Sequence, residues 1–133
     1  AISSVLDYLK NRYEGKIITI FGCGGERDAL KREEMGKIVE DRSHFQIITN
    51  DNPRNEDPEE IINEIKKGMN FKNYEIIFDR REAILEGLKR LKTSEPDSVL
   101  LIAGKGHENF QTIKDQKIQF NDFEVLNELK NAV

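Results

Sequence analysis

The run Ile17-Ile18-Thr19-Ile20-Phe21, followed at once by Gly22-Cys23-Gly24-Gly25, most constrains what this chain can fold into. A continuous apolar, β-branched run has no polar face to turn to water. It reads as a strand covered on both sides, which places it in the middle of a parallel sheet between helical layers. The same signature returns at Phe45 to Thr49, Tyr74 to Phe78 and Ser98 to Ala103. Between these runs lie segments with helical spacing of apolar residues: Met35, Ile38 and Val39 in a helix from about Lys31 to Arg42, then Ile61, Ile62 and Ile65 in one ending near Gly68. Ala83, Ile84, Leu88 and Leu91 mark a fourth helix, and Val5, Leu6, Leu9 and Tyr13 a first one capped by Ser3 or Ser4. Strands separated by single helices imply right-handed crossovers and an α/β fold with a mostly parallel sheet flanked by helices. Near the end, Gln111-Thr112-Ile113 and Lys117-Ile118-Gln119 predict a short antiparallel hairpin before a last helix capped by Asn121 or Asp122.

In such folds ligands collect outside the carboxyl ends of the strands, so the polar loops there are the candidate sites. Three qualify: Gly22 to Asp28, Asp51 to Asp57, and Gly104-Lys105-Gly106-His107-Glu108. Their convergence on one edge is expected from topology, although the strand order is not readable. In the middle loop Asp57 suits an N-cap and Pro58 the first helical position, which explains its second half as helix punctuation. The first half, Asp51-Asn52-Pro53-Arg54, is left needing another reason. Arg54 offers a planar fork of donors and Asn52 an amide beside it, a pair suited to a planar anion.

Other chemistries find less support. Ala29, Leu30 and Lys31 stand where a dinucleotide fingerprint needs its third glycine, and no Gly-x-x-x-x-Gly-Lys-Ser/Thr phosphate cradle occurs. His107 and Glu108 resemble half of a metal or acid/base pair, but the only other histidine is His44 and no ligand spacing follows. Cys23 lacks a local base and reads as a small packing residue. As the single cysteine it excludes an internal disulfide and points to a reducing, cytoplasmic setting. Net charge −4, with both signs interleaved, argues against nucleic acid, and no apolar run is long enough to cross a bilayer. At 133 residues one core, and one domain over 1–133, is expected; the helical start at Ala1 suggests a domain excised from something longer.

Taken together, Gly-Cys-Gly-Gly-Glu-Arg-Asp at 22–28, Lys31-Arg32 with Met35-Gly36, Asp-Asn-Pro-Arg at 51–54 with Glu56-Asp57-Pro58, Asp79-Arg80-Arg81-Glu82-Ala83-Ile84, and Ala-Gly-Lys-Gly-His-Glu at 103–108 with Gln111 resemble the C-terminal domain of MurE-type Mur ligases. These are the UDP-N-acetylmuramoyl-dipeptide:diamino-acid ligases of peptidoglycan synthesis. The resemblance implies a Rossmann-like domain that follows a domain for the uridine nucleotide substrate and a central ATPase domain, both outside this chain. It implies ATP and Mg2+ in the whole enzyme, with their sites mainly in the central domain, and an isolated domain that is inactive. The acceptor would be UDP-MurNAc-L-Ala-D-Glu, activated as an acyl phosphate and attacked by the amine of the incoming amino acid. By motif position, Arg27, Asn52 and Arg54 would hold the carboxylates of that amino acid, and the Gly104 carbonyl with Glu108 its distal ammonium. Asp51, Pro53, Lys105 and His107 would support the two loops. Two guanidiniums for two carboxylates and one carboxylate for one ammonium match meso-diaminopimelate or an analogue such as lanthionine. The alternatives are a related ligase adding lysine or glutamate, or a free-standing amino-acid-binding module.

Overall fold

The computed structural model describes residues 2–24, 29–103, 110–113, 116–119 and 121–131. Among them the order is α1 (Ile2–Arg12), β1 (Ile17–Phe21), α2 (Ala29–Arg42), β2 (Phe45–Ile48), α3 (Pro58–Lys66), β3 (Tyr74–Ile76), α4 (Arg80–Thr93), β4 (Val99–Ile102), β5 (Phe110–Ile113), β6 (Gln116–Gln119) and α5 (Asp122–Leu129). β1 to β4 form one all-parallel sheet in the order β3-β2-β1-β4. β5 and β6 pair separately as an antiparallel ribbon. The α/β class, the central place of β1 and the hairpin are as the sequence predicts.

Alternation along the central strands sorts the core into two halves. Ile17 and Phe21 of β1 and Ile48 of β2 face α1, α2 and α3, packing with Leu6, Val39, Ile61, Ile62 and Ile65. Ile20 and Ile47 face the other way, against Ala83, Ile84 and Leu88 of α4 and Val125 and Leu129 of α5. The result is a three-layer sandwich. α2 and α3 meet backbone to backbone: a Cβ on Gly36 would overlap the Ile65 carbonyl oxygen, and one on Gly68 the Glu33 carbonyl oxygen.

Several boundaries differ from the expectation. Ser3 and Ser4 lie inside α1 and cap nothing among the described residues, and α2 begins two residues before Lys31. α3 stops at Lys66, ahead of Gly68. β3 is short because it is an edge strand, although its continuation still bonds the sheet through Ile77 N–H to the Ile48 carbonyl. The apolar run of β4 predicts full burial, but the strand is half-buried throughout, since β1 is its one strand neighbour in this sheet.

At the amino edge of the sheet, Asp97 sits at φ 65, takes the Gly15 N–H on its carbonyl at 3.1 Å and the Glu14 N–H on its carboxylate at 2.7 Å. Ser98 Oγ accepts from Lys16 N–H at 2.9 Å. His44 Nδ1 accepts from the Ile17 N–H at 3.0 Å, so this histidine serves the sheet at the end remote from the loops.

Candidate functional site

The strand order puts β2, β1 and β4 side by side, so the three polar loops start from neighbouring carboxyl ends. The first two leave in contact. A Cβ on Gly22 would overlap the Thr49 carbonyl oxygen, which only glycine permits at so close a backbone approach.

In the loop after β2, Asn52 is 8% exposed and Pro53 is buried. The Glu56 N–H bonds to the Pro53 carbonyl at 3.0 Å, closing a tight turn with Arg54 and Asn55 at its corners. Arg54 takes φ 54 there, a left-handed conformation that costs an L-residue roughly 1–2 kcal/mol and that glycine would adopt freely. An arginine kept at a glycine corner is the kind of local conflict that marks functional loops. The rest of the loop is helix punctuation as read from the sequence: Asp57 caps α3, accepting from Glu59 N–H at 2.9 Å, with Pro58 opening the helix.

Two buried arginines fasten the loop bases together. Arg32, 2% exposed, gives Nη1 to Glu56 Oε2 at 2.9 Å and Glu64 Oε1 at 3.0 Å, and Nη2 to Glu56 Oε1 at 2.8 Å and the Gly24 carbonyl at 3.0 Å. It joins the glycine loop to the turn that carries Arg54. Arg80, 1% exposed, gives Nε and Nη2 to the Asp122 carboxylate at 2.8 and 2.9 Å, Nη1 to the Asn50 carbonyl at 3.1 Å and Nη2 to the Ala103 carbonyl at 3.1 Å. It joins the residue before Asp51 to the residue before Gly104. Both arginines stand in the motifs read from the sequence, where neither carries a role. A signal was present: each lies in the first turn of its helix, where the macrodipole disfavours a cation, so each needs a carboxylate nearby. The second acid is also reassigned, because Asn121 is the α5 cap, accepting from Glu124 N–H at 3.2 Å, which frees Asp122 for Arg80.

Of the residues singled out from the sequence, Asp51, Asn52, Pro53 and Arg54 share this loop at the carboxyl edge. Arg27, Gly104, Lys105, His107 and Glu108 lie outside the described residues; Gly24 and Ala103, the last described residues before the two loops, are held by Arg32 and Arg80. Cys23 is half-buried against the α1–α3 core, and burial pushes its thiol up to about 11, with Arg32 opposing and Asp51 and Glu64 adding. Such a thiol is a poor nucleophile at neutral pH. Among the described residues no three His, Cys, Asp or Glu side chains cluster as a metal site would require, and no helix is long and apolar enough to cross a membrane.

The sequence and fold match known proteins over most of the chain. It is 49% identical over 131 residues to UDP-N-acetylmuramoyl-L-alanyl-D-glutamate--2,6-diaminopimelate ligase 2 of Clostridium acetobutylicum, a match covering 97% of this chain and 26% of that protein. It is 51% identical over 127 residues to the ligase of the same name, without the number, from Rickettsia bellii, covering 94% of this chain and 26% of that one. A solved structure of a UDP-N-acetylmuramoyl-L-alanyl-D-glutamate--2,6-diaminopimelate ligase superposes with a TM-score of 0.90 at 37% identity, over 98% of this chain and 27% of the other. The chain thus spans about a quarter of the length of these relatives. With residues 1–106 also matching the family model for the Mur ligase, glutamate ligase domain, the chain belongs to the Mur ligase family, as the portion described by that model.

Proposed function

We propose that residues 1–133 are the C-terminal, amino-acid-receiving domain of a cytoplasmic peptidoglycan ligase that adds meso-diaminopimelate, or a close diamino dicarboxylate, to UDP-MurNAc-L-Ala-D-Glu. The relatives named above are diaminopimelate ligases, and they extend well beyond this stretch. The sequence has no phosphate-cradling glycine-lysine motif, and among the described residues no three His, Cys, Asp or Glu side chains cluster. Activation of the acceptor carboxylate is therefore assigned to the remaining domains, with the central ATPase domain as this domain's partner. The work left to this chain is to bind and orient the nucleophile. Arg54 and Asn52 would take the distal carboxylate, Arg27 the other carboxylate, and the Gly104 carbonyl with Glu108 the distal ammonium. Held at both ends, the remaining amine has one direction in which to present its lone pair, which is catalysis by orientation.

The observation that carries this reading is Arg54 at φ 54, an arginine retained where glycine costs less, on the edge where α/β folds bind ligands. Lysine and glutamate ligases are the second reading, and Arg54 disfavours lysine because lysine has no distal carboxylate to pair. The test uses the full-length protein. Truncating one partner of a desolvated charge pair costs roughly 2–5 kcal/mol, so Arg54→Ala should lower kcat/KM for diaminopimelate by roughly tens- to thousands-fold and that for lysine far less. Equal losses for the two amino acids, or a wild-type preference for lysine, would overturn the reading.

A further inference from the structure

Arg32 is 2% exposed, lies outside the proposed ligand contacts, and places hydrogen bonds on three separate parts of the chain. We infer that Arg32 is a positioning residue, whose fork on Glu56 holds the left-handed corner that presents Arg54 to a carboxylate of the incoming amino acid. This rests on the reading above for what Arg54 binds, and on the observed geometry for what holds its turn.

An arginine at φ 54 stays there only while its surroundings over-determine the turn. The turn enters through Pro53, which is buried, and closes at Glu56, whose N–H meets the Pro53 carbonyl at 3.0 Å. A single backbone bond is of the same order as the strain it opposes, so a second hold is needed. Arg32 supplies it. Its Nη1 and Nη2 lie on Oε2 and Oε1 of Glu56 at 2.9 and 2.8 Å, a side-on pair in which the carboxylate cannot swing without breaking both bonds. The guanidinium is itself fixed from outside the turn, by Glu64 of α3 at 3.0 Å and by the Gly24 carbonyl after β1 at 3.0 Å. The elements on either side of the loop thus hold Arg32, and Arg32 holds the residue that closes the turn. Lysine cannot replace it, because an ammonium is a point charge without the rigid fork. With the clamp loosened the corner can relax toward the right-handed form. The left-handed cost, worth roughly five- to thirtyfold in population, sets how far the competent turn is then depleted.

The test uses the full-length protein, with Arg32→Lys and Glu56→Gln each made alone and each combined with Arg54→Ala, and folding checked by thermal melts. Glu56→Gln keeps the N–H on the Pro53 carbonyl and the size of the side chain while removing the charge that the fork grips, so it carries the comparison if Arg32→Lys does not fold. The readouts are KM for each of the three substrates and the coupling between the paired substitutions. With Arg54 in place, each variant should raise KM for diaminopimelate about five- to thirtyfold and leave KM for ATP and for the nucleotide acceptor within about twofold. With Arg54→Ala already present, the same substitution should change kcat/KM for diaminopimelate by less than about twofold, because the corner then has no guanidinium to present. Equal losses on the two backgrounds, or a rise in all three KM values together, would make Arg32 plain structural support and overturn the inference while leaving the substrate reading intact, as would loss of fold in both single variants. An Arg54→Ala variant that keeps its efficiency for diaminopimelate would overturn the substrate reading and this inference with it.

Discussion

The left-handed corner at Arg54 can be tested apart from its side chain by comparing Arg54→Gly with Arg54→Ala. Both remove the guanidinium and every contact it makes, so what differs between them is the backbone. At φ 54 alanine suffers the left-handed cost of roughly 1–2 kcal/mol, which glycine escapes. Glycine in turn loses more freedom on folding, by about 0.4–1 kcal/mol. The glycine variant should therefore be the more stable of the two by about 0.5–1 kcal/mol, or about 2–5 °C in melting temperature for a domain of this size. Urea denaturation of the 133-residue chain measures this, with equal slopes showing that the unfolded states match. In the full-length protein the two variants should lose diaminopimelate efficiency alike, within about threefold, because the missing charge is common to both. An alanine variant as stable as the glycine one would refute the left-handed corner, and with it the structural argument that residue 54 is kept as arginine for a ligand.

Three further outcomes follow from other parts of the molecule. Gly36→Ala should lower the free energy of unfolding, measured with urea, by a net of about 1–2 kcal/mol, because prying α2 from the Ile65 carbonyl costs more than the roughly 1 kcal/mol gained in helix propensity; a neutral or stabilising result would show that the helices do not touch there. Cys23, with its thiol pushed up to about 11 from 9.0, should carry roughly a hundredfold less thiolate at pH 8 than an ordinary cysteine, so its alkylation by iodoacetamide in the folded chain should be slow and should match the unfolded rate only in denaturant. His44 is held below the usual histidine range, by burial first and then by Lys16 and Lys10, so the folded chain binds fewer protons than the unfolded one. Its contribution is complete above about pH 6.5 and is lost as pH falls below that value, so stability should drop less between pH 7.5 and 5.5 in His44→Ala than in the wild type; parallel pH profiles would contradict this.

The class of fold was legible because burial on two faces leaves a mark that few alternatives share. Ile17 to Phe21 could hardly be anything but an inner strand, and Asp57-Pro58 announced the start of α3. Strand order was not legible, since parallel neighbours are chosen by crossover packing that no local residue encodes. Nor was the turn at Arg54: left-handed corners are read from glycine or asparagine, and here the residue says nothing of the conformation. Arg32 and Arg80 were missed for a related reason. Periodicity treats arginine as a solvated charge, and their burial depends on Glu56, Glu64 and Asp122, 24, 32 and 42 residues away, meeting them in space. A still longer separation in sequence hid the Asp97 clamp on Gly15.

The place of β4 at the far side of β1 also governs when the carboxyl edge of the sheet can be completed as the chain is made. β1, β2 and β3, with the helices between them, can pair and close one half of the core before residue 99 has left the ribosome. Arg80 opens α4, on the other side of the sheet, and two of its partners, Ala103 and Asp122, arrive about 20 and 40 residues later. Until then its guanidinium must stay hydrated or hold the Asn50 carbonyl alone, so the end of β4 and the start of α5 together complete its set of partners. A newborn chain cut short of α5 would keep the strands of its parallel sheet while lacking the Asp122 carboxylate that clamps Arg80 across the Asn50 and Ala103 carbonyls.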